Sequence, residues 1–175
     1  LTAGTLAIDA STNGTVNVNS TALLAAVHNK FLDSASVVID EAILTADSIA
    51  IAVDRSTVYS VEGRDAFNNI SGVSSIELDQ AELESQSGDV SVLSSTSLDL
   101  TAYSPELEFL LDEVDTGVNL DASFARNRVA GDTLVTVNES PLTVGSGGAL
   151  IVNASRNVQA EATAETDSIV WTNSY

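Results

Sequence analysis

The sequence contains no cysteine and no methionine, and it is poor in proline and aromatic residues. Without cysteine the chain has neither a disulfide framework nor a thiolate zinc site. The lack of both sulfur residues leaves little to oxidise, which suits life outside the cell. Only Pro105 and Pro141 lack a backbone N–H donor, so long stretches of the chain can form hydrogen-bonded strands. No run of about 18 apolar residues occurs, so no transmembrane helix or membrane insertion is predicted.

Basic residues are scarce as well: six Lys and Arg stand against 25 Asp and Glu, which gives a net charge of −19. Binding to phosphates requires a basic surface, so the composition excludes a nucleic-acid-binding protein and disfavours anionic membrane surfaces. The acids are scattered along the chain and are not gathered in a tail. Such a surface keeps a protein soluble and discourages association at modest salt.

A degenerate sequence repeat occurs three times along the chain. Its copies are LAAVHNKFLDSASVVIDEA (24–42), AFNNISGVSSIELDQAELES (66–85) and ASFARNRVAGDTLVTVNES (122–140). The aligned starts are Val27, Ala66 and Ala125, so the intervals are 39 residues (66 − 27) and 59 residues (125 − 66). The longer interval equals one 39-residue unit with about 20 inserted residues. A period of roughly 20–50 residues marks a repeat architecture.

Strict alternation of apolar and polar residues is the main local pattern. It is clear at Leu6-x-Ile8-x-Ala10, Ile49-x-Ile51-x-Val53 and Leu98-x-Leu100. Period two over short runs, separated by Gly, Ser, Asn and Asp, is typical of half-buried strands joined by tight turns. With the repeat, it predicts an all-β protein: a β-solenoid over 1–175, with two turns of about twenty residues per repeat. A β-sandwich is the competing fold, but a sandwich has no reason to repeat Asn at equivalent positions.

Three asparagines, Asn29, Asn68 and Asn127, align in the repeats. Asn tolerates a left-handed corner, and its amide can hydrogen-bond to the equivalent Asn one rung away. We therefore predict a structural corner ladder; the alternative is a row of ligand-binding side chains on the surface. Asp40, Asp79 and Asn138 form a second aligned series, expected at a turn.

The inserted residues, 103–122, break the repeat. Ser104 is a suitable N-cap and Pro105 suits the first helical position, so YSPELEFLLDEVDTG (103–117) predicts a short amphipathic helix. Its apolar positions have helical spacing: Leu107, Leu110, Leu111 and Val114. We expect this helical insertion to pack on the side of the solenoid; docking of a partner is the alternative.

Residues suited to chemistry are few, so we predict that the protein is not an enzyme. The single histidine, His28, occupies a position that Phe67 and Arg126 fill in the other copies, and no nucleophile-elbow, P-loop or zinc-protease motif occurs. Arg126 with Arg128, and His28 with Lys30, alternate and share a face; we expect them to neutralise acidic rungs. No cofactor or metal is predicted, although SGD (87–89) and AGD (130–132) supply oxygen ligands suited to calcium.

The chain also begins and ends inside the repeat, without an initiator Met or signal peptide, and therefore reads as a piece of something longer. The stretches AVHNKFLDSASVVIDEAILTADSIAIAVDRSTV and FARNRVAGDTLVTVNESPLTVGSGGALIVNAS resemble the passenger regions of large bacterial filamentous adhesins, the filamentous-haemagglutinin-like and leukotoxin-like β-helix proteins. The resemblance implies a secreted right-handed parallel β-helix that serves as a rod for attachment or for a surface fibre.

The functional prediction is accordingly a structural segment of a secreted surface filament or adhesin, located outside the cell or at its surface. Its expected partners are itself, end to end, or neighbouring repeats of a longer chain, with a surface glycan or protein as a further candidate. Two alternatives stay open: a carbohydrate-active β-helix enzyme, and a carbohydrate- or protein-binding module.

Overall fold

The computed structural model describes residues 4–20, 26–105 and 124–165, in which thirteen strands and no helix occur. The strands are β1 (Thr5–Asn19), β2 (Ala26–Leu32), β3 (Ala35–Asp40), β4 (Ile43–Ala46), β5 (Ser48–Glu62), β6 (Asp65–Ser71), β7 (Ser74–Asp79), β8 (Glu82–Ser85), β9 (Val90–Ser104), β10 (Phe124–Ala130), β11 (Thr133–Asn138), β12 (Leu142–Thr143) and β13 (Leu150–Ala164). The prediction of an all-β protein is confirmed for these residues.

All strand pairs are parallel and form four sheets. Sheet A has the order β1-β5-β9-β13, sheet B β10-β6-β2, sheet C β11-β7-β3 and sheet D β12-β8-β4. The chain therefore visits sheets A, B, C and D in turn and then returns to sheet A. This order fits a parallel β-solenoid, because every strand pairs with its counterpart from the neighbouring repeat.

The pairing register reproduces the alignment of the repeats. Asn29 lies opposite Asn68, which lies opposite Asn127. One expectation was wrong: a repeat does not contain two turns of about twenty residues. Ile49 in β5 pairs with Val90 in β9, 41 residues on (90 − 49), so one repeat supplies one complete layer. The reason is the length of sheet A strands, which have 15 residues and cover sheets B, C and D together.

The core lies between sheet A and the three shorter sheets. The first half of β5 places Ile49, Ile51 and Val53 against apolar residues of sheets C and D. The second half places Tyr59 and Val61 in two smaller apolar clusters with sheet B. Because side chains alternate across a strand, the residues between these inward positions face away from the core.

A left-handed residue marks the corner between sheets C and D in each layer. Glu41, Gln80 and Glu139 have φ angles of 49°, 51° and 47°, and each directly follows a member of the Asp40, Asp79 and Asn138 series. Backbone N–H groups at this corner still bond to the next layer: Glu41 donates to the Asp79 carbonyl at 3.0 Å. The corner thus bends the chain without breaking the stacking between layers.

The described residues include only the first three positions of the predicted helical segment, 103–105. Tyr103 and Ser104 belong to β9, and the Ser104 hydroxyl donates to the Arg64 carbonyl. Ser104 is therefore a strand residue rather than a helix cap. The apolar positions of the proposed insertion, Leu107, Leu110, Leu111 and Val114, lie outside the described residues.

Candidate functional site

The three aligned asparagines form a hydrogen-bonded row inside the molecule. The Asn29 amide nitrogen donates to the Asn68 amide oxygen at 2.9 Å, and the Asn68 nitrogen donates to the Asn127 oxygen at 2.8 Å. Each amide nitrogen also donates to a backbone carbonyl of sheet A, as Asn68 does to Thr101 at 2.9 Å. The row therefore joins successive layers and also ties sheet B to sheet A.

The location of this row differs from the predicted one. Asn29 and Asn68 lie in the middle of β2 and β6, with 2 % and 1 % of their surface exposed, and none of the three has a positive φ. They are inward-facing strand residues, so the expectation of a left-handed corner was wrong. Stacked amides suit this position because each one supplies the donor or acceptor that its neighbour needs.

A second buried polar group lies between the apolar clusters of the core. The Arg55 side chain is 1 % exposed, its Nε lies 3.3 Å from Asp33 Oδ2, and its NH1 donates to the Gly72 carbonyl at 3.2 Å. The hydroxyls of Thr57 and Tyr59 donate to the same Asp33 oxygen at 3.1 and 2.9 Å. This pair with its hydroxyl ligands links sheet A to the turn between sheets B and C.

The burial of this cluster shifts two pKa values. For the Asp33 carboxyl, burial raises the pKa, but hydrogen bonds from the surrounding hydroxyl and guanidinium groups outweigh that effect and hold the pKa below its ordinary value of 3.8. Burial and the adjacent Asp33 carboxylate raise the pKa of Tyr59 to about 12. At neutral pH the cluster therefore holds a charged Asp33–Arg55 pair and a neutral tyrosine that donates a hydrogen bond.

The inward column of sheet A that contains Arg55 alternates between neutral and positively charged residues. The register places Thr12, Arg55, Thr96 and Arg156 side by side in successive strands. Strands lie about 4.8 Å apart, so two arginines in adjacent strands would repel each other. Arg156 repeats the contact of Arg55, since its NH1 donates to the Gly131 carbonyl at 2.6 Å. The column thus supplies one cation to every second layer.

Sequence reasoning did not identify Arg55, Asp33 or Tyr59 as a cluster. The signal available was the alternation itself: Arg55 and Tyr59 continue the inward series of Ile49, Ile51 and Val53. An arginine at an inward position requires an acid nearby, because an unpaired buried charge is costly. Which acid meets it depends on the turn between sheets B and C.

Three exposed basic residues lie together on the outward face of sheet B. Lys30, Arg126 and Arg128 are exposed there, with His28 beside them, as the alternation predicted. They were expected to neutralise acidic rungs. Among the described residues none of these four side chains forms an ion pair with an acid, so their role as neutralisers stays a prediction.

The calcium candidates do not converge on one another. Asp89 uses its carboxylate to accept a hydrogen bond from the Ala149 backbone at 2.7 Å, which links two layers. Across residues 4–20, 26–105 and 124–165, no three His, Cys, Asp or Glu side chains lie close enough to hold a metal ion. The described residues also contain no helix long and apolar enough to cross a membrane.

The chain was compared with protein-family models, curated proteins and solved structures, and none of them matches it.

Proposed function

We propose that the chain is a right-handed parallel β-helix segment that serves as a non-enzymatic structural rod in a secreted bacterial surface filament or adhesin. The observation that carries this proposal is the stacking of like residues from layer to layer in parallel sheets, above all the Asn29–Asn68–Asn127 row. Such a structure grows by repetition, since each layer contacts only its neighbours.

The two end strands of sheet A support end-to-end joining. Among the described strands, β1 and β13 each have a neighbour on one side only, and both have 15 residues. Unpaired strand edges are ready to pair with another chain. If β1 of a second copy followed β13 in the register of sheet A, its Thr12 would lie next to Arg156. The alternation of Thr and Arg would then continue across the junction.

Apolar residues at the outer end of this sheet support the same contact. Leu150 and Val152 occupy inward positions in register with buried Val90 and Val92, yet they are 48 % and 44 % exposed. The same register would bring Ile8 of a second copy to Val152. Contact of this head-to-tail kind need not close, so it produces filaments rather than dimers.

Salt should control this association because the net charge of −19 opposes it. The screening length falls from about 10 Å at 0.1 M to about 3 Å at 1 M salt. We therefore expect a monomer in dilute buffer and end-to-end oligomers as salt rises, measured by sedimentation velocity and by negative-stain electron microscopy.

A matched pair of variants tests whether the end of sheet A is the contact. Val152→Lys places a charge on the inward, stacking side of β13, and Asn153→Lys places the same charge on the outward side. The first variant should stay monomeric at high salt, whereas the second should associate like the unchanged protein. A constant monomer of the unchanged protein at every salt concentration would refute end-to-end assembly and favour a self-contained domain.

A further inference from the structure

The outward face of sheet B combines cations and aromatic rings. Its charged and ring-bearing residues, called the sheet B patch below, are His28, Lys30, Phe67, Phe124, Arg126 and Arg128. Three of the six Lys and Arg residues of the chain are in this patch. In a protein with a net charge of −19, this concentration creates a local positive surface.

The register arranges the patch as a small grid. One column contains His28, Phe67 and Arg126, and the next contains Lys30, Asn69 and Arg128. Neighbouring columns are two residues apart along a strand, about 7 Å, and the outer strands are about 10 Å apart. The cations are therefore spaced over a flat area.

The cations of the patch have no acidic partner among the described residues. Lys30, Arg126 and Arg128 are exposed, and within the described residues none of them makes an ion pair or a hydrogen bond to an acid. Asp65 is the only acid among the outward residues of sheet B. Elsewhere Arg55 and Arg156 donate to carbonyl groups of the protein itself. Within the described part of the chain, the patch thus contains cationic groups that no acid neutralises.

Aromatic rings border these cations. The His28 and Phe67 rings meet edge to face with centroids 4.7 Å apart, and Phe67 stacks on Phe124 with centroids 5.4 Å apart. Phe124 is 52 % exposed. A phenylalanine exposed to this extent offers apolar ring surface to a ligand, and Arg126 is its neighbour on the same face of the strand.

We propose that the sheet B patch binds an acidic polysaccharide, one that carries carboxylate or sulfate groups at intervals along a chain of sugars. Arginine recognises such groups through paired, charge-assisted hydrogen bonds. The apolar faces of the intervening sugar rings would pack on Phe67 and Phe124. This inference extends the proposed structural role by naming a ligand class for attachment, and it does not require that the rods join end to end.

The distribution of charge favours a sparsely charged polymer over nucleic acid. Duplex DNA carries one charge per roughly 1.7 Å, so a bound duplex would extend beyond the patch and place many phosphates over acidic surface. A polysaccharide with widely spaced charges can place them on the patch alone. The outward acids of sheet A lie on the opposite side of the core from the sheet B patch, at least about 10 Å away. This distance is about one screening length at 0.1 M salt.

Binding is measured by fluorescence anisotropy with the whole 175-residue chain. The probes are labelled oligomers of galacturonic acid, sulfated dextran, neutral dextran and single-stranded DNA. We expect binding of at least one acidic oligosaccharide and no binding of neutral dextran. The affinity should fall between about 0.1 M and 1 M salt, because salt screens the attraction between the cations of the patch and the anionic groups of the ligand. The preference between the carboxylated and the sulfated probe identifies the anionic group.

Two triple variants separate the patch from the overall charge. Lys30→Gln, Arg126→Gln and Arg128→Gln remove its cations. Asn13→Asp, Ser97→Asp and Asn157→Asp add the same charge to the outward face of sheet A, so both variants have a net charge of −22 (−19 − 3). The first should weaken binding about tenfold or more, since charge-assisted hydrogen bonds are lost. The control should bind almost like the unchanged protein.

Phe124→Ser tests the aromatic part and should also weaken binding of the acidic oligosaccharide. The proposal is overturned if neither acidic probe binds, if the two triple variants lose affinity equally, or if DNA binds more tightly than the oligosaccharides. Far-UV circular dichroism of each variant confirms that the fold is retained. Because the variants are compared at low salt, where the protein is expected to be a monomer, a negative result here leaves the end-to-end proposal intact, and the reverse also holds.

Discussion

The central asparagine of the row gives the sharpest test of the interior. Asn68 accepts a hydrogen bond from Asn29 and donates to both Asn127 and the Thr101 carbonyl. Leucine has nearly the shape of asparagine but cannot make any of these bonds. Asn68→Leu therefore removes the polar contacts of the middle layer while keeping the branching and the number of side-chain heavy atoms.

The cost follows from the groups left without partners. After the substitution, the Asn29 amide keeps one bond, to Ser60 O at 3.2 Å, and loses the other, while the Asn127 oxygen loses its donor. A buried polar group without a partner costs about 1–3 kcal/mol. Two such groups, partly offset by burial of the leucine, give a destabilisation of roughly 2–4 kcal/mol.

The end members of the row provide an internal scale. Asn29→Leu and Asn127→Leu each deprive only one neighbouring amide of its partner, so each should cost about 1–3 kcal/mol, less than the central substitution. Replacing all three by leucine should cost less than the sum of the single changes, because the neighbours no longer need partners.

Urea unfolding, followed by far-UV circular dichroism, measures these differences. The midpoints should fall in the order of the predicted costs while the denaturant slope stays constant. Equal losses at all three positions would show that the amides do not act through one another. An unchanged midpoint for Asn68→Leu would refute the reasoning altogether.

Four further predictions test the rest of the interior. Gly72→Ala should strongly destabilise the protein, because the added Cβ would lie 1.7 Å from the Asp33 carbonyl oxygen at a φ of 150°, whereas Gly14→Ala meets no atom within 4 Å and should be tolerated in the same urea assay. Stability should fall on acidification below pH 3.8, because the pKa of Asp33 is lower in the folded than in the unfolded state, and Asp33→Asn should remove this part of the pH dependence. Stability should also fall as pH rises from 10 towards 12, since the pKa of Tyr59 is raised to about 12, and Tyr59→Phe should flatten the profile there. Arg55→Met should cost less stability when it is made in the Asp33→Asn variant than when it is made in the unchanged protein, because the single change leaves the buried Asp33 carboxylate unpaired. Equal costs in the two backgrounds would argue against a coupled pair.

The sequence by itself determined the strand type and the register of the stack. Alternation decides which residues share a face of a strand, since the side-chain period is two whatever the strand packs against. The spacing of the copies then predicts which residues align, and Asn29, Asn68 and Asn127 do lie opposite one another. Their grouping was predictable because it depends only on repetition.

The position of the asparagines in the cross-section was not predictable in the same way. The tolerance of Asn for left-handed backbone suggested a corner, yet the left-handed positions hold Glu41, Gln80 and Glu139 instead. An inward amide is stable only because equivalent amides stack above and below it. This stabilisation exists only in the folded stack, and no local preference reveals it.

Only the tertiary structure decided which faces meet. Asp33 and Arg55 are 22 positions apart (55 − 33) and come together because the turn between sheets B and C lies over the middle of β5. The sheet B patch arises in the same way, since Lys30 and Arg128 come from strands that both pair with β6. Local alternation determines the face on which a side chain lies, but the path of the chain through its turns determines what lies opposite that face.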